Sequence, residues 1–228
     1  MRILTALVLA VLVPATAQAA PTQIVVTGEG IASAMPDMAT VSFTISTAAS
    51  TAAAAMSENN SRYNKMAANL QALGVASADI QTTSYNLNYS PRPAPPDVPA
   101  PGQRYGYFVD RSIDVTLHRT ALVGKAIDEA AAAGVTDIGG VAFGVSDRKG
   151  QLAIALRAAV SDARLQAQSL ATAAGLHIVR VRKIEQGYQA VPPPQPMMKA
   201  MAAAPVPTQI QPNAVQSRAA VTITYDAQ

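Results

Sequence analysis

Residues 25–45 read V-V-T-G-E-G-I-A-S-A-M-P-D-M-A-T-V-S-F-T-I, and this stretch decides the class of fold. In its second half Ala39, Val41, Phe43 and Ile45 alternate with Thr40, Ser42, Thr44 and Ser46. A period of two marks a strand with one buried and one wet face, as antiparallel sheets have. Pro36-Asp37 reads as the turn before it. Gly28-Glu29-Gly30 reads as a break in the strand that precedes the turn. The third glycine of a dinucleotide fingerprint would fall at Ser33, and a strand rather than a helix follows, so that motif is set aside.

Outward from this stretch the period changes. Met56, Tyr63, Ala67 and Leu70 recur at helical spacing from about Thr51, and Gly74 ends the helix. A strand over Thr82 to Tyr89 follows. Pro91 to Gly102 is proline-rich and cannot pair inside a sheet. Tyr105 to Leu117 alternates again, Thr120 offers an N-cap for a short helix ending at Gly134, and Asp137 opens a strand through Val145. Asp147 caps the longest helix. Leu152, Leu156, Ala159, Val160, Ala163, Ala167, Leu170, Ala171 and Ala174 mark its expected apolar face, up to Gly175. Ile178 to Tyr188 reads as a strand, Val191 to Pro212 as a mobile loop rich in Pro, Ala and Met, and Ala219 to Tyr225 as a last strand. That strand is expected beside a long neighbour, with 104–118 as the candidate. The order strand–helix–strand–strand–helix–strand predicts an α+β fold with antiparallel sheet, three helices and a split βαβ unit.

Ahead of this body, Arg2, the apolar run Ile3–Val13, Pro14 and Ala17-Gln18-Ala19 have the pattern of a secretory leader over residues 1–19, with cleavage expected between Ala19 and Ala20. The apolar run is about half the roughly 20 residues that span a bilayer. Removing the leader from 228 residues leaves roughly 210, enough for one domain or two small lobes with a real core. The absence of cysteine excludes disulfides, thiol chemistry and a lipidated-cysteine anchor. A net charge of +3, with the densest basic run only Arg180, Arg182 and Lys183, argues against a nucleic-acid surface. Those three read as a solvated strand face.

Taken in order, V-T-G-E-G at Val26–Gly30, Pro36-Asp37, L-x-x-L-G-V-x-x-x-D-I-Q-T beginning at Leu70 and R-S-I-D-V-T-L at Arg111–Leu117 form a recognisable series. It continues with I-D-E-A-A-A-A-G at Ile127–Gly134, A-x-x-x-A-R-L-Q-A-Q-S-L-A ending at Ala171, and A-V-T-I-T-Y at Ala220–Tyr225. In these features the chain resembles the SIMPL-domain family of exported bacterial proteins over residues 20–228. Asn213 departs from it, standing where the family often has Gly. The resemblance implies a periplasmic protein, associated with the envelope and its outer membrane, that assembles into homo-oligomers and is linked to oxidative-stress tolerance. It implies no catalytic residues and no cofactor.

The residues themselves offer little chemistry. His118 and His177 lack ligand-like spacing. Glu29, Asp37, Asp79 and Asp137 sit where turns meet strands, where a carboxylate caps backbone donors. No serine stands in a nucleophile elbow; Gly144-Val145-Ser146 lacks the closing glycine. Met197, Met198 and Met201 are soft thioethers suited to Cu(I), weighed against an incidental linker. The expectation is therefore a protein that is not an enzyme, with no catalytic, cofactor or metal residues, acting by self-association. The alternative is a binding or chaperone-like module that uses the proline-rich loops at 91–102 and 191–213 as lids and captures another envelope protein.

Overall fold

The two strands that flank Pro36-Asp37 belong to different sheets. In the computed structural model, which describes residues 22–92, 105–187 and 208–228, β1 (Thr22–Ala34) joins a three-stranded sheet and β2 (Met38–Ala49) a four-stranded one. The expected leader at 1–19, most of both proline-rich loops, and Met197, Met198 and Met201 lie outside the described residues.

Lobe one is built from β2, α1 (Ala52–Ala72), β3 (Ile80–Ser90), β4 (Gly106–Leu117), α2 (Val123–Ala132) and β5 (Asp137–Gly144). Its strands run antiparallel in the order β3-β4-β2-β5, which is the split βαβ arrangement. The alternating apolar residues of β2 and β4, Val41, Phe43, Ile45, Ile113 and Val115, pack against Met66 and Leu70 of α1 and Val123, Ala126 and Ile127 of α2. Thr51 caps α1 by accepting the Ala54 N–H at 3.2 Å. Gly74 and Gly134 end the two helices at φ of 88° and 93°, where a side chain would be strained. Thr120 does not cap α2. Residues Thr120–Leu122 form a 3-10 turn, and α2 starts at Val123 with no side-chain cap bond.

Lobe two has its own core. β1, β7 (Val215–Ala227) and β6 (Ile178–Gly187) form a sheet in the order β1-β7-β6, covered on one face by α3 (Arg148–Ala173). The last strand thus pairs with β1 and β6, not with 104–118. Both edges of β4 are already taken, by β2 and β3, so no place is left beside it. Asp147 caps α3 as expected, accepting the Gly150 N–H at 2.8 Å.

Two further expectations change here. Gly28 and Gly30 do not break the strand, which pairs with β7 along its whole length. A Cβ on Gly28 would fall onto the Ala159 carbonyl and the Ala163 amide, and within 2.7 Å of the Ala163 methyl. One on Gly30 would fall onto the Ala155 carbonyl and come to 3.0 Å from the Ala158 methyl. The glycines are there because the α3 backbone lies directly on the β1 backbone. Correspondingly, the buried face of α3 is Ala155, Ala159, Ala163, Ala167 and Ala171 alone. Leu152, Val160 and Leu170, expected on that face, are exposed.

Of the mobile loop expected over 191–212, only residues 208–212 are described, and these are tied to lobe one. Thr208 donates its hydroxyl to Asp128 of α2 at 2.7 Å, and Ile210 packs against the lobe-one core. Asn213 lies in irregular backbone and, like every described residue other than glycine, has no positive φ.

A bulkier residue in the glycine pair cannot be absorbed by side-chain adjustment, because the clash is with helix backbone. Gly30→Val is expected to destabilise the protein by about 3 kcal/mol or more, at or above the upper end of overpacking costs. Thermal melts of Gly30→Val against Ile31→Val, an exposed neighbour, check this; equal melting temperatures refute the backbone-contact account.

Candidate functional site

Several residues singled out in the sequence meet at one end of the lobe-one sheet, where the chain crosses between lobes. Asp37 follows β1 and precedes β2; Ser146 lies between β5 and α3. The Asp37 carboxylate accepts the Ser146 N–H at 2.7 Å and the Ser146 hydroxyl at 2.5 Å, while its own N–H donates to the Gly144 carbonyl at 3.1 Å. These bonds join two of the chain's passages between the lobes. They favour the ionised form, and the Ser146 hydroxyl, then its amide, hold the Asp37 carboxyl below its ordinary value of 3.8, with His118 adding in the same direction.

His118 itself, at the end of β4, places Nε2 3.3 Å from the Asp79 carboxylate. Arg119 beside it donates to the Leu73 carbonyl at the end of α1, 3.2 Å away. Asp37, Asp79, His118 and Ser146 thus share one region, although 109 positions separate the outermost two. The His118 side chain is 64% exposed, so this is a wet surface and not a closed cleft. The contacts formed there are those of turns and strand ends.

The other residues lie elsewhere. Glu29 is exposed on β1, and its backbone N–H, not its carboxylate, is engaged, donating to Asp162 of α3 at 2.9 Å. Asp137 is exposed at the start of β5. His177 exchanges backbone hydrogen bonds with Gln228 at 2.7 and 3.0 Å, which fastens the C-terminus. Arg180 and Arg182 are not simply solvated. Their bonds of 2.8 and 3.2 Å to the buried Asp226, that of Arg180 foremost, hold its carboxyl below the ordinary range. Among the described residues no group of three or more His, Asp or Glu is placed to hold a metal ion, and no helix is long and apolar enough to cross a membrane.

Sequence reasoning missed a second constellation. Arg111 projects from β4 into lobe one, with the rings of Tyr63 and Tyr85 at 4.4 and 4.8 Å from its guanidinium carbon and Asn60 accepting an N–H at 2.6 Å. Beside it, Asn59 donates to the carbonyls of Ile45 and Val109 at 2.9 and 3.4 Å. The signal was an arginine at an inward position of an otherwise apolar alternation, Val109-x-Arg111-x-Ile113.

A sheet-and-helix body of two lobes, with one polar constellation at turns and strand ends and another between the middles of β4 and α1, is the kind of protein this geometry defines. The SIMPL family profile, described as a protein of unknown function (DUF541), matches residues 24–225, and the chain belongs to that family. It is 33% identical over 181 residues to the 26 kDa periplasmic immunogenic protein of Brucella melitensis biotype 1, covering 78% of this chain and 70% of that one. It is 31% identical over 193 residues to the uncharacterized protein YggE of Escherichia coli K12, covering 82% and 74%. The Edwardsiella ictaluri YggE is 30% identical over 206 residues, covering 89% and 82%.

The Asp37–Ser146 contact sets a pH dependence. Because the Asp37 pKa is lowered by folding, its stabilisation is present above the ordinary value and is lost as pH falls through the lowered one. Ser146→Ala is expected to return Asp37 toward 3.8 and to flatten the acid-side loss of stability. Carboxyl NMR titration and thermal melts from about pH 6 to about pH 2 check both. An unmoved Asp37 titration in the variant refutes the assignment.

Proposed function

We propose that this chain is an exported, non-enzymatic protein of the periplasm that acts by associating with copies of itself through lobe two. The leader pattern at residues 1–19 and the periplasmic name of the Brucella relative support the location. N-terminal sequencing of the secreted protein, expected to begin at Ala20, tests it.

The observation that carries self-association is the outer surface of lobe two. Because the fully buried residues of α3 are all alanines, most of its larger aliphatic residues stay outside the core: Leu165 is 61% exposed, with Ile154, Val160 and Leu170 also exposed, while Leu156 packs partly against it. On the same lobe β6 leaves Val181 and Ile184 uncovered, the latter 58% exposed. Exposed aliphatic surface concentrated on one lobe marks an interaction surface. A partner copy of the chain, presenting the same residues, is complementary to it across a two-fold axis. Envelope and outer-membrane association, and tolerance of oxidative stress, belong to this reading as consequences of assembly.

Sedimentation velocity of the mature protein is expected to show species heavier than one chain. The pair Leu165→Glu and Ile184→Glu, both surface changes, is expected to return the monomer mass with an unchanged circular-dichroism spectrum. A strictly monomeric wild type at roughly 0.1 mM refutes the reading. Peroxide survival of a deletion strain complemented with either form then separates assembly from mere presence of the protein.

A further inference from the structure

Arg111 is in register with Ile45 on β2 and Tyr85 on β3, between the core positions Val109 and Ile113. It is only 9% exposed. A guanidinium does not lose its proton in proteins, so this is a permanent charge placed among apolar side chains. The groups in contact with the guanidinium are neutral: two tyrosine rings, which offset part of the cost, and the side-chain carbonyl oxygen of Asn60. Among the described residues no carboxylate forms an ion pair with it, and its Nε–H is buried without an acceptor. A buried cation with an unused donor costs stability unless an anion answers it.

The surroundings say what kind of anion. Asn60 also lines an open groove along α1, with Met56, Ser57 and Asn64. Arg111 stands between this stripe and β3, where Tyr85, Leu87 and Tyr89 alternate on the same face as Arg111 and are exposed. The Tyr89 ring lies against that of Tyr107, centres 4.7 Å apart and planes tilted by 42°, which extends the aromatic floor. Neither that stripe of α1 nor any residue of β3 carries a charge. A single buried fork of N–H donors beside a neutral, aromatic and aliphatic floor matches one planar carboxylate on an apolar body, not a polyanion.

We infer that the surface around Arg111, between the Asn60 stripe of α1 and the exposed side chains of β3, binds a carboxylate carried on an apolar body. The carboxylate takes the Arg111 Nε–H and the adjoining edge of the guanidinium once Tyr85, on an edge strand, swings off it. The apolar body lies over Leu87 and Tyr89. Two sources share this chemistry: a free alkyl acid and the C-terminal carboxylate of an apolar peptide. The site is on the opposite lobe from the proposed self-association surface, so either reading can fail without the other.

The test uses the whole mature chain with octanoate and, as its uncharged counterpart, octanol, followed by amide NMR and thermal melting. Octanoate is expected to shift the amides of Tyr85, Leu87 and Tyr89 saturably and to raise the melting temperature. Octanol is expected to bind about tenfold more weakly or worse, the loss of a charge-assisted hydrogen bond. Arg111→Met is expected to fold and to abolish the preference for octanoate, and Arg111→Lys, which keeps the charge without the fork, to lose most of it. Acetyl-Ala-Leu-Phe with a free terminus, against its amide, then assigns the source: competition by the free form alone points to a peptide terminus, and its absence to a free acid. Equal binding of octanol, no binding of octanoate, shifts confined to lobe two, or an undiminished preference in Arg111→Lys overturns the inference.

Discussion

The approach of α3 to β1, backbone against backbone, is the constraint from which lobe two follows. Glycine at 28 and 30 on the strand and alanine at every fourth position of the helix remove the side chains that normally hold such elements apart. Positions four apart on a helix drift slowly around its axis, so the stripe runs obliquely and follows the twist of the sheet beneath it. The large side chains of the lobe-two core therefore come from the sheet, as Ile24, Val26, Val221, Ile223 and Tyr225, with almost none from the helix. A helix of 26 residues whose fully buried groups are all small leaves Leu152, Ile154, Leu165 and Leu170 exposed, with Leu156 partly packed. The apolar outer surface of lobe two is thus a direct consequence of how tightly its inner surface is packed.

Lobe one uses the opposite solution. There α1 and α2 contribute Met66, Leu70, Val123 and Ile127, and the sheet answers with Phe43, Ile45 and Ile113. Two cores built on different rules do not merge, and the contacts that join them are mostly polar and near the surface: Asp37 with Ser146, and Thr208 with Asp128. Among the described residues Ile210 adds an apolar contact, reaching from the segment before β7 into the lobe-one core. Conditions that act on hydrogen bonds at the surface therefore bear on the junction before they bear on either core.

Much of this was legible in the chain. The alternation at Ala39–Ile45, the cap at Asp147 and the left-handed glycines at 74, 134 and 175 are local signals, and the structure keeps them. What was not legible is non-local. Gly28 and Gly30 look like strand breaks until α3, more than a hundred residues later in the chain, is laid on them. The partners of the last strand depend on which edges are already occupied, which no period reveals. The apolar face of α3 was misjudged because leucine outranks alanine in any count of hydrophobicity, yet only alanine fits the contact. At the candidate site, Asp37 and Asp79 were readable as turn residues, but their meeting with Ser146 and His118 depends on the pairing of β2 with β4 and β5.

The edges of the two sheets sharpen the division of roles. On β6 the exposed edge carries Arg180, Arg182, Lys183 and Glu185, and on β1 the Glu29 N–H is occupied by Asp162. Charge and capping of this kind discourage strand-to-strand association. The β3 edge has neither: its eleven residues are uncharged and contain no proline, and a single irregularity near Thr82 and Ser84 is its one guard. Lobe two therefore has guarded edges and many exposed aliphatic side chains, whereas lobe one has a covered core and, on β3, an uncharged edge that carries the exposed Tyr85 and Tyr89. Under the proposed self-association, such a distribution would set face against face at lobe two and leave the β3 side of lobe one outside the contact. Arg111 stands beside this edge, its charge met in the structure by the rings of Tyr63 and Tyr85 and by the side-chain oxygen of Asn60.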